Sequence, residues 1–321
     1  MPKKRSTGTS RNLRPNQIRR NPENPRLIFR QDEMDNLMFS IDRHGIQVPL
    51  TVYRDGDGYR LIDGERRWRC AQKLNLRSVP VLVQDKPTEL ENLLLMYNIH
   101  ALREQWDYYT IASKLSRVIE LYALEHGQEP NEVELSEETG LTRGQIRRCR
   151  LLLDLPDRFK EMLLTELQLP KPQQKLSEDL FIEMEKSLKT VLRRLPEYAE
   201  AVDDIRDTLV GKFRGGLIPA VTDFRQLSKI ATAIDNIGLQ RRTAVSSLDA
   251  VFDPTHEQGI REAYTKTVEF GYNEKDAARR LQSLTEFLDQ ILDADQVESL
   301  DDEFLESARE LHARLSEILR S

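Results

Sequence analysis

A single glycine separates a strand pattern from an arginine-rich helix pattern, and this break limits the folds open to the chain. Residues 59–69 read Tyr-Arg-Leu-Ile-Asp-Gly-Glu-Arg-Arg-Trp-Arg, with the glycine at position 64. A helix start offers unpaired backbone N–H groups and a partial positive charge, both of which attract anions. Arg66, Arg69 and Lys73 share one helical face. The pattern therefore predicts a phosphate-binding turn, and a solvated basic helix is the alternative.

Two further motifs precede this turn. Residues 21–26 read Asn-Pro-Glu-Asn-Pro-Arg, and residues 40–50 read Ser-Ile-Asp-Arg-His-Gly-Ile-Gln-Val-Pro-Leu. Together with Asp-Gly-Glu-Arg-Arg-Trp-Arg at residues 63–69 and Val-Pro-Val at residues 79–81, they resemble the boxes of the N-terminal domain of the ParB family of partition proteins. Three ordered boxes form a more specific signal than any one of them.

The resemblance implies a pocket for CTP, or another nucleoside triphosphate, with Mg²⁺ nearby. In ParB proteins the second box lies against the base and ribose, and the GERRxR box grips the phosphates. Carried over to this sequence, Gly45 and Ile46 would line the base. The phosphate cradle would consist of Gly64, Glu65, Arg66, Arg67 and Arg69.

The sequence departs from the family pattern at two places. The family usually has Gln-Pro in the second box, whereas here Val48 precedes the proline. The next family box begins with Glu-Asn, and its match here begins with Tyr97 and Asn98. A phenol is neutral near pH 7 and cannot supply carboxylate charge to Mg²⁺, so we predict nucleotide binding with weak or absent hydrolysis. Glu65 and Asn98 stay candidate Mg²⁺ ligands, and the alternative for Asn98 is a helix-surface amide.

Other activities found on this fold need groups that the sequence can be checked for. Sulfiredoxin places a reactive cysteine where this chain has Glu65, and a carboxylate cannot support thiolate chemistry. The chain has two cysteines, Cys70 and Cys149, with no Cys-x-x-Cys or His-x-x-x-His pair to bind zinc. We interpret Cys70 as a small apolar residue. A nuclease or phosphotransferase that uses Glu65 or Asp63 is the enzymatic alternative.

Residues 131–156 have the spacing of a helix-turn-helix, with Gly140 in the tight turn. Thr142 and Gln145 form a capping box, so the second helix should begin at Arg143. Arginine and glutamine pair with guanine and adenine edges, and neighbouring arginines neutralise phosphates. The predicted DNA-binding residues are Thr142, Arg143, Gln145, Arg147, Arg148 and Arg150. ParB proteins carry this motif directly after the nucleotide domain, and a basic surface helix in a plain bundle is the alternative.

Charge is distributed unevenly, although the whole chain is formally −6. Residues 1–160 contain 27 Lys and Arg against 23 Asp and Glu, while residues 161–321 contain 21 against 31. A basic first half suits a nucleic-acid partner. Residues 1–12 are predicted to form a disordered basic arm that either tracks DNA phosphates or solubilises the chain.

Apolar residues at spacings of three and four run through the C-terminal half of the chain. These stripes predict helices throughout residues 157–321, either packed as an intramolecular bundle or joined in a homodimer through the last helical hairpin. ParB proteins end in a short dimerisation domain, and this long acidic region does not resemble one. The sequence shows no catalytic constellation in this half.

These observations predict four parts. A basic arm at residues 1–12 precedes an α+β ParB/sulfiredoxin-like domain at residues 13–100. An all-α helix-turn-helix domain at residues 101–160 and an all-α helical domain at residues 161–321 follow. The resemblance also implies that the helix at residues 106–124 swings between the nucleotide pocket and the DNA-binding helices.

We expect a ParB-like protein that acts as a nucleotide-gated clamp on double-stranded DNA, in plasmid or chromosome partition or in related regulation. A homodimer is expected because one recognition helix reads too few base pairs. The resemblance adds a partition ATPase as a partner. We expect no membrane association and a cytoplasmic location on the nucleoid or a plasmid. The non-enzymatic alternative is a plain helix-turn-helix regulator with a vestigial pocket.

Overall fold

A computed structural model of the chain describes residues 8–22, 28–100 and 107–320, apart from the side chains of Met96, Asn98, Ile99 and His100. The first seven residues of the predicted basic arm, the end of the first box, the side chain of Asn98 and the start of the helix predicted to swing lie outside this description. The predictions made for them stay predictions.

The described strands form one mixed sheet. They are β1 (Thr9–Leu13), β2 (Ile18–Arg19), β3 (Leu50–Asp55), β4 (Gly58–Asp63) and β5 (Val79–Gln84), in the order β1-β5-β3-β4-β2. The pairs β1–β5 and β3–β4 are antiparallel, while β3–β5 and β2–β4 are parallel. The β3–β4 hairpin turns at Gly56, whose φ of 61° suits a tight turn.

The first strand lies where the sequence predicted the basic arm. Residues 9–13 pair with residues 83–79 of β5, and only Leu13 of the strand is buried. An edge strand needs one paired backbone edge and no apolar alternation, so its polar composition gave no strand signal. The predicted disorder of residues 1–12 is thus corrected for residues 9–12.

Two helices, α1 (Gln31–His44) and α2 (Glu65–Lys73), pack against each other beside the sheet. Cys70 of α2 is fully buried with Met34 and Ile41 of α1, which agrees with its interpretation as a small apolar residue. The main core is made of apolar side chains from all five described strands and from α2: Leu13, Ile18, Leu50, Val52, Leu61, Ala71, Val79 and Val81.

Helices make up most of the described chain beyond β5. The first of these are α3 (Glu89–His100), α4 (Tyr108–His126), α5 (Glu132–Thr139), α6 (Arg143–Leu153), α7 (Asp157–Gln168), α8 (Glu178–Arg194), α9 (Val202–Arg214) and α10 (Phe224–Asn236). The predicted order of a sheet-containing domain followed by helices is confirmed, whereas the predicted domain boundaries stay a prediction. None of the described helices combines the length and apolar content needed to cross a bilayer.

The chain divides into two compact units, residues 1–225 and residues 226–321. The second unit contains α11 (Arg241–Phe252), α12 (Ile260–Tyr264), α13 (Phe270–Asp293) and α14 (Asp302–Ile318), with a π-helical turn at Thr265–Glu269. The rings of Phe287 in α13 and Phe304 in α14 meet edge to face, 5.8 Å apart. Most apolar residues of these two helices stay partly exposed, so both packing alternatives predicted for them stay open.

Candidate functional site

The arginine-rich turn begins where β4 ends and α2 starts. Gly64 joins them with a left-handed φ of 99°, a conformation that L side chains rarely adopt. A Cβ atom at this position would lie 2.5 Å from Cδ2 of Leu50, so the turn is pressed against β3. Only glycine meets both conditions, and the glycine therefore fixes where the first turn of α2 begins.

Arg66 and Arg69 both reach the segment at the start of α1. The Nη2 atom of Arg66 donates to the backbone carbonyl of Glu33 at 3.1 Å and lies 3.5 Å from its carboxylate. The guanidinium of Arg69 stacks on the ring of Phe29, with its carbon atom 3.9 Å from the ring centroid, and pairs with Glu65 at 2.5 Å. Two of the three residues on the helical face that the sequence offered to a ligand, Arg66 and Arg69, are therefore in contact with protein.

Arg67 joins the second and third boxes. Its Nη1 atom donates to the backbone carbonyls of Val48 and Pro49, at 3.0 Å for Pro49. Its Nη2 atom donates to the carboxylate of Asp63 at 2.9 Å. The two boxes that the resemblance assigns to the base and the phosphates thus lie side by side.

Gly45 and Ile46 lie at the end of α1, next to this junction. Gly45 caps the helix with a φ of 69°, and its N–H donates to the carbonyl of Ile41 at 2.8 Å. Ile46 is half-buried and packs against the two apolar clusters described above. Their predicted role in base binding stays a prediction.

Each of the three predicted phosphate-binding arginines is paired with a carboxylate of the protein. Arg66 has Glu33, Arg67 has Asp63 and Arg69 has Glu65. Three positive charges are therefore balanced by three negative ones. A triphosphate at this turn would therefore compete with these carboxylates for the guanidinium groups.

Glu65 does not fit a Mg²⁺ ligand as it stands. It is 5% exposed, and its Oε1 atom accepts from both Nε and Nη2 of Arg69. The described residues contain no group of three His, Cys, Asp or Glu side chains that could hold a metal. A pairing with Asn98 lies outside the described side chains.

Tyr97 lies in the core of the helical region. It is completely buried, and its hydroxyl donates to the backbone carbonyl of Ile111 in α4. Burial, reinforced by the neighbouring thiol of Cys149, raises the pKa of Tyr97 well above its ordinary value. The phenol thus ties α3 to α4, a role that its position in the sequence did not indicate.

The helices α5 and α6 meet at a tight turn. Gly140 ends α5 in the left-handed conformation, and Ile146, Cys149 and Leu152 form the buried face of α6. The predicted start of α6 is confirmed, because the hydroxyl of Thr142 accepts from the N–H of Gln145 at 3.2 Å. The side chain of Gln145 in turn accepts from the N–H of Thr142 at 2.8 Å. Thr142 and Gln145, which were both predicted to contact DNA, therefore form the N-terminal cap of α6.

Glu132, in the first turn of α5, gathers three arginines of α6. Its carboxylate lies 3.5 Å from Arg143, 3.0 Å from Arg147 and 3.7 Å from Arg150. The hydrogen bond from Arg147 is the main reason that the pKa of Glu132 is lowered. More than half of the Arg143 and Arg147 side chains stays exposed, so this face can still meet phosphates.

Arg148 points elsewhere. It pairs with Asp179 in α8 and lies over the ring of Tyr108 in α4, 5.0 Å from its centroid. The structure therefore brings together three of the four predicted arginines. The sequence analysis did not predict the role of Glu132. The only signal for it was the position of an acidic residue directly after the N-cap residue of α5.

Residues 1–99 match the family model of the ParB N-terminal domain. The chromosome-partitioning protein ParB of Myxococcus xanthus is 32% identical over 146 residues, 46% of this chain and 47% of that protein. A nucleoid occlusion protein of Bacillus licheniformis is 33% identical over 144 residues, 44% of this chain and 48% of that protein. The chain thus spans about half the length of the curated relatives that it matches.

Two solved structures of C-terminally truncated ParB from Caulobacter crescentus are also similar. The complex with CTP-γ-S is 22% identical, covers 56% of this chain and 98% of its own, and has a TM-score of 0.29. The complex with the centromeric parS site is 21% identical, covers 69% of this chain and 98% of its own, and has a TM-score of 0.41. The family match confirms that the N-terminal region is a ParB N-terminal domain, as the three boxes indicated.

Proposed function

We propose, from the ParB N-terminal domain at residues 1–99, that the chain is a DNA-binding protein whose grip on DNA is gated by a nucleoside triphosphate, with CTP as the first candidate. It would act as a clamp in plasmid or chromosome partition, or in related regulation such as nucleoid occlusion. The observation that carries the proposal is the contact of Arg67 with Val48 and Pro49, which sets the phosphate box beside the base box.

The route for a triphosphate follows from the ion pairs at the arginine turn. Its phosphates would replace the carboxylates of Glu33, Asp63 and Glu65 as partners of the three guanidinium groups. Phosphate offers arginine charge-assisted and bidentate hydrogen bonds, which are the strong ones. Nucleotide binding is then an exchange in which the arginines give up carboxylates for phosphates. The rest of the protein would respond to the carboxylates that this exchange releases.

DNA would meet the exposed face of α6. Arg143, Arg147 and Arg150 follow one face of α6 around Glu132, as phosphate neutralisation and base-edge contacts in a major groove require. One such helix reads few base pairs, so a homodimer on double-stranded DNA is part of the proposal. A partition ATPase as a partner, and a place on the nucleoid or a plasmid, complete it.

Calorimetry tests the nucleotide part of the proposal. CTP, ATP, GTP and UTP are titrated into the wild type, into Arg66→Ala and into Arg77→Ala, an exposed arginine beyond α2 that serves as a control. Loss of charged hydrogen bonds should weaken CTP binding by about ten- to a hundredfold in Arg66→Ala. Arg77→Ala should bind as the wild type does. No binding of any nucleotide to the wild type would end the proposal of gating.

A plain DNA-binding regulator is the second candidate, and the three internal ion pairs of the arginine turn favour it. In that case the turn is a structural element, closed by its own carboxylates. Salt-dependent DNA binding that is identical with and without each nucleotide would select this candidate. A nuclease or phosphotransferase gains no support, since Asp63 and Glu65 are both paired with arginine.

A further inference from the structure

Arg30 joins three helices from a buried position. It precedes α1 and is 7% exposed. Its Nη1 atom donates to Glu33 in α1 at 3.0 Å, and its Nη2 atom donates to Asp107, at the start of α4, at 2.8 Å. Its Nε atom donates to the carbonyl of Leu167, near the end of α7, at 3.1 Å. One guanidinium thus holds α1, α4 and α7 together.

The same segment touches the arginine turn. Glu33 accepts from Arg30 through Oε1, while its Oε2 atom lies 3.5 Å from Arg66 and its backbone carbonyl accepts from Arg66. The ring of Phe29, next to Arg30, carries the guanidinium of Arg69. Arg66 therefore contacts the residue that pairs with Arg30, and Arg69 contacts the residue that precedes Arg30.

The contact of Arg30 with Asp107 connects it, through α4, to the α5–α6 pair. Asp107 is the N-cap residue of α4, and its carbonyl accepts from the N–H of Ile111 at 3.1 Å. The carbonyl of the same Ile111 accepts from Tyr97. Because α4 packs against α6, the position of the first turn of α4 bears on the helix proposed to meet DNA.

We infer that Arg30 is a positioning residue that couples occupancy of the arginine turn to the start of α4 and the end of α7, through the carboxylate of Glu33. This inference rests on the proposed function. A phosphate that takes Arg66 removes one of the two arginines sharing Glu33. Glu33 is then held by Arg30 alone, and the two side chains move together. Because each unpaired donor of a buried guanidinium costs free energy, Asp107 and the carbonyl of Leu167 move with Arg30 as well. Such a link between two sites is a coupling free energy, and removing the shared carboxylate should abolish it.

Hydrogen exchange with and without CTP tests the link, read at the amides of residues 109–112 and 167–169. In the wild type, CTP should change exchange at both places. Glu33→Gln should bind CTP about two- to fivefold more tightly, since Arg66 loses a competing anion, and should show no change at either place. Asp32→Asn removes a neighbouring exposed charge from the same turn of α1 and should behave as the wild type does.

Asp107→Asn provides an independent variant that keeps a good N-cap residue. It should bind CTP with unchanged affinity and lose the exchange response at residues 109–112. If CTP binds the wild type without altering either segment, or if both variants keep the response, the link is overturned while nucleotide binding stands. If calorimetry shows no nucleotide binding to the wild type, the proposed function fails first. Should Glu33→Gln not fold, Asp107→Asn alone decides.

Discussion

The carboxylate of Glu132, in the first turn of α5, lies 3.0 Å from the guanidinium of Arg147 in α6. The same carboxylate also reaches Arg143 and Arg150. A single acidic side chain thus holds the arginines proposed to meet DNA, and any phosphate that approaches them competes with it. The effect of Glu132 on DNA binding, whether it orients the arginines or competes with phosphate for them, can be measured.

Replacing Glu132 by Gln should strengthen binding to nonspecific duplex DNA by about two- to fivefold, because exposed ion pairs of this kind are weak and the competing anion is gone. The salt dependence of binding should steepen, since phosphates take over the charge neutralisation. Fluorescence anisotropy over a range of KCl concentrations measures both quantities.

Glu137→Gln is the matched control for that change, because it removes an exposed charge from the same helix. It should leave both quantities nearly unchanged. Weaker binding by Glu132→Gln would mean that Glu132 chiefly orients the arginines, and equal gains in the two variants would mean that only net charge matters.

Gly64→Ala should destabilise the first compact unit by roughly 3 kcal/mol or more, as the left-handed backbone and the crowding by Leu50 add up. Gly56→Ala has a similar backbone, with a φ of 61°, and open space around its Cβ position. It should cost only about 1–2 kcal/mol. Urea unfolding followed by circular dichroism compares the two, and equal losses would contradict the crowding described at Gly64.

Thr142→Ala should lower stability by about 1 kcal/mol, because the N–H of Gln145 loses the hydroxyl that caps α6. Thr142→Ser keeps the oxygen and should restore most of the loss. The same unfolding experiment applies. A serine variant as unstable as the alanine variant would show that the methyl group, rather than the cap, matters at this position.

Stability should fall at alkaline pH because of the thiol of Cys149. Burial raises its pKa from the ordinary value of 9.0 to about 12. Above pH 9 the unfolded chain loses this proton while the folded chain keeps it, so the stability present below pH 9 declines as the pH rises towards 12. The slope from this group is at most about 1.4 kcal/mol per pH unit.

Cys149→Ala isolates the contribution of the thiol. The variant should be less stable at pH 7 because it leaves a cavity in the core. Its stability should nevertheless decline less steeply between pH 9 and pH 11 than that of the wild type. Parallel profiles of urea midpoint against pH would refute the assignment.

Local spacing predicted the parts of the site that depend on neighbouring residues. The glycine before the arginines set the junction of β4 and α2 at Gly64, and Thr142 with Gln145 set the start of α6. Both features involve residues within one helical turn, where capping and backbone conformation decide the structure. The family boxes added the domain type, which spacing alone could not supply.

The partners of the functional arginines could not be predicted in this way. Glu33 is 33 residues from Arg66, and Glu132 is 15 residues from Arg147, so their pairing depends on how helices pack. Tyr97 stands where the family box has an acidic residue, and the hydrogen bond from its hydroxyl to α4 was likewise not indicated by spacing. Side-chain partners across a fold follow from tertiary geometry, which periodicity does not encode.

Both cysteines of the chain are completely buried, and this simplifies a test of the proposed clamp. A maleimide or a bifunctional crosslinker should not reach either native thiol in the folded protein. One cysteine introduced on the outer surface of the N-terminal domain would therefore report by itself whether two copies approach each other when CTP and DNA are added. The native sequence serves as its own unlabelled background, and no core residue has to be replaced.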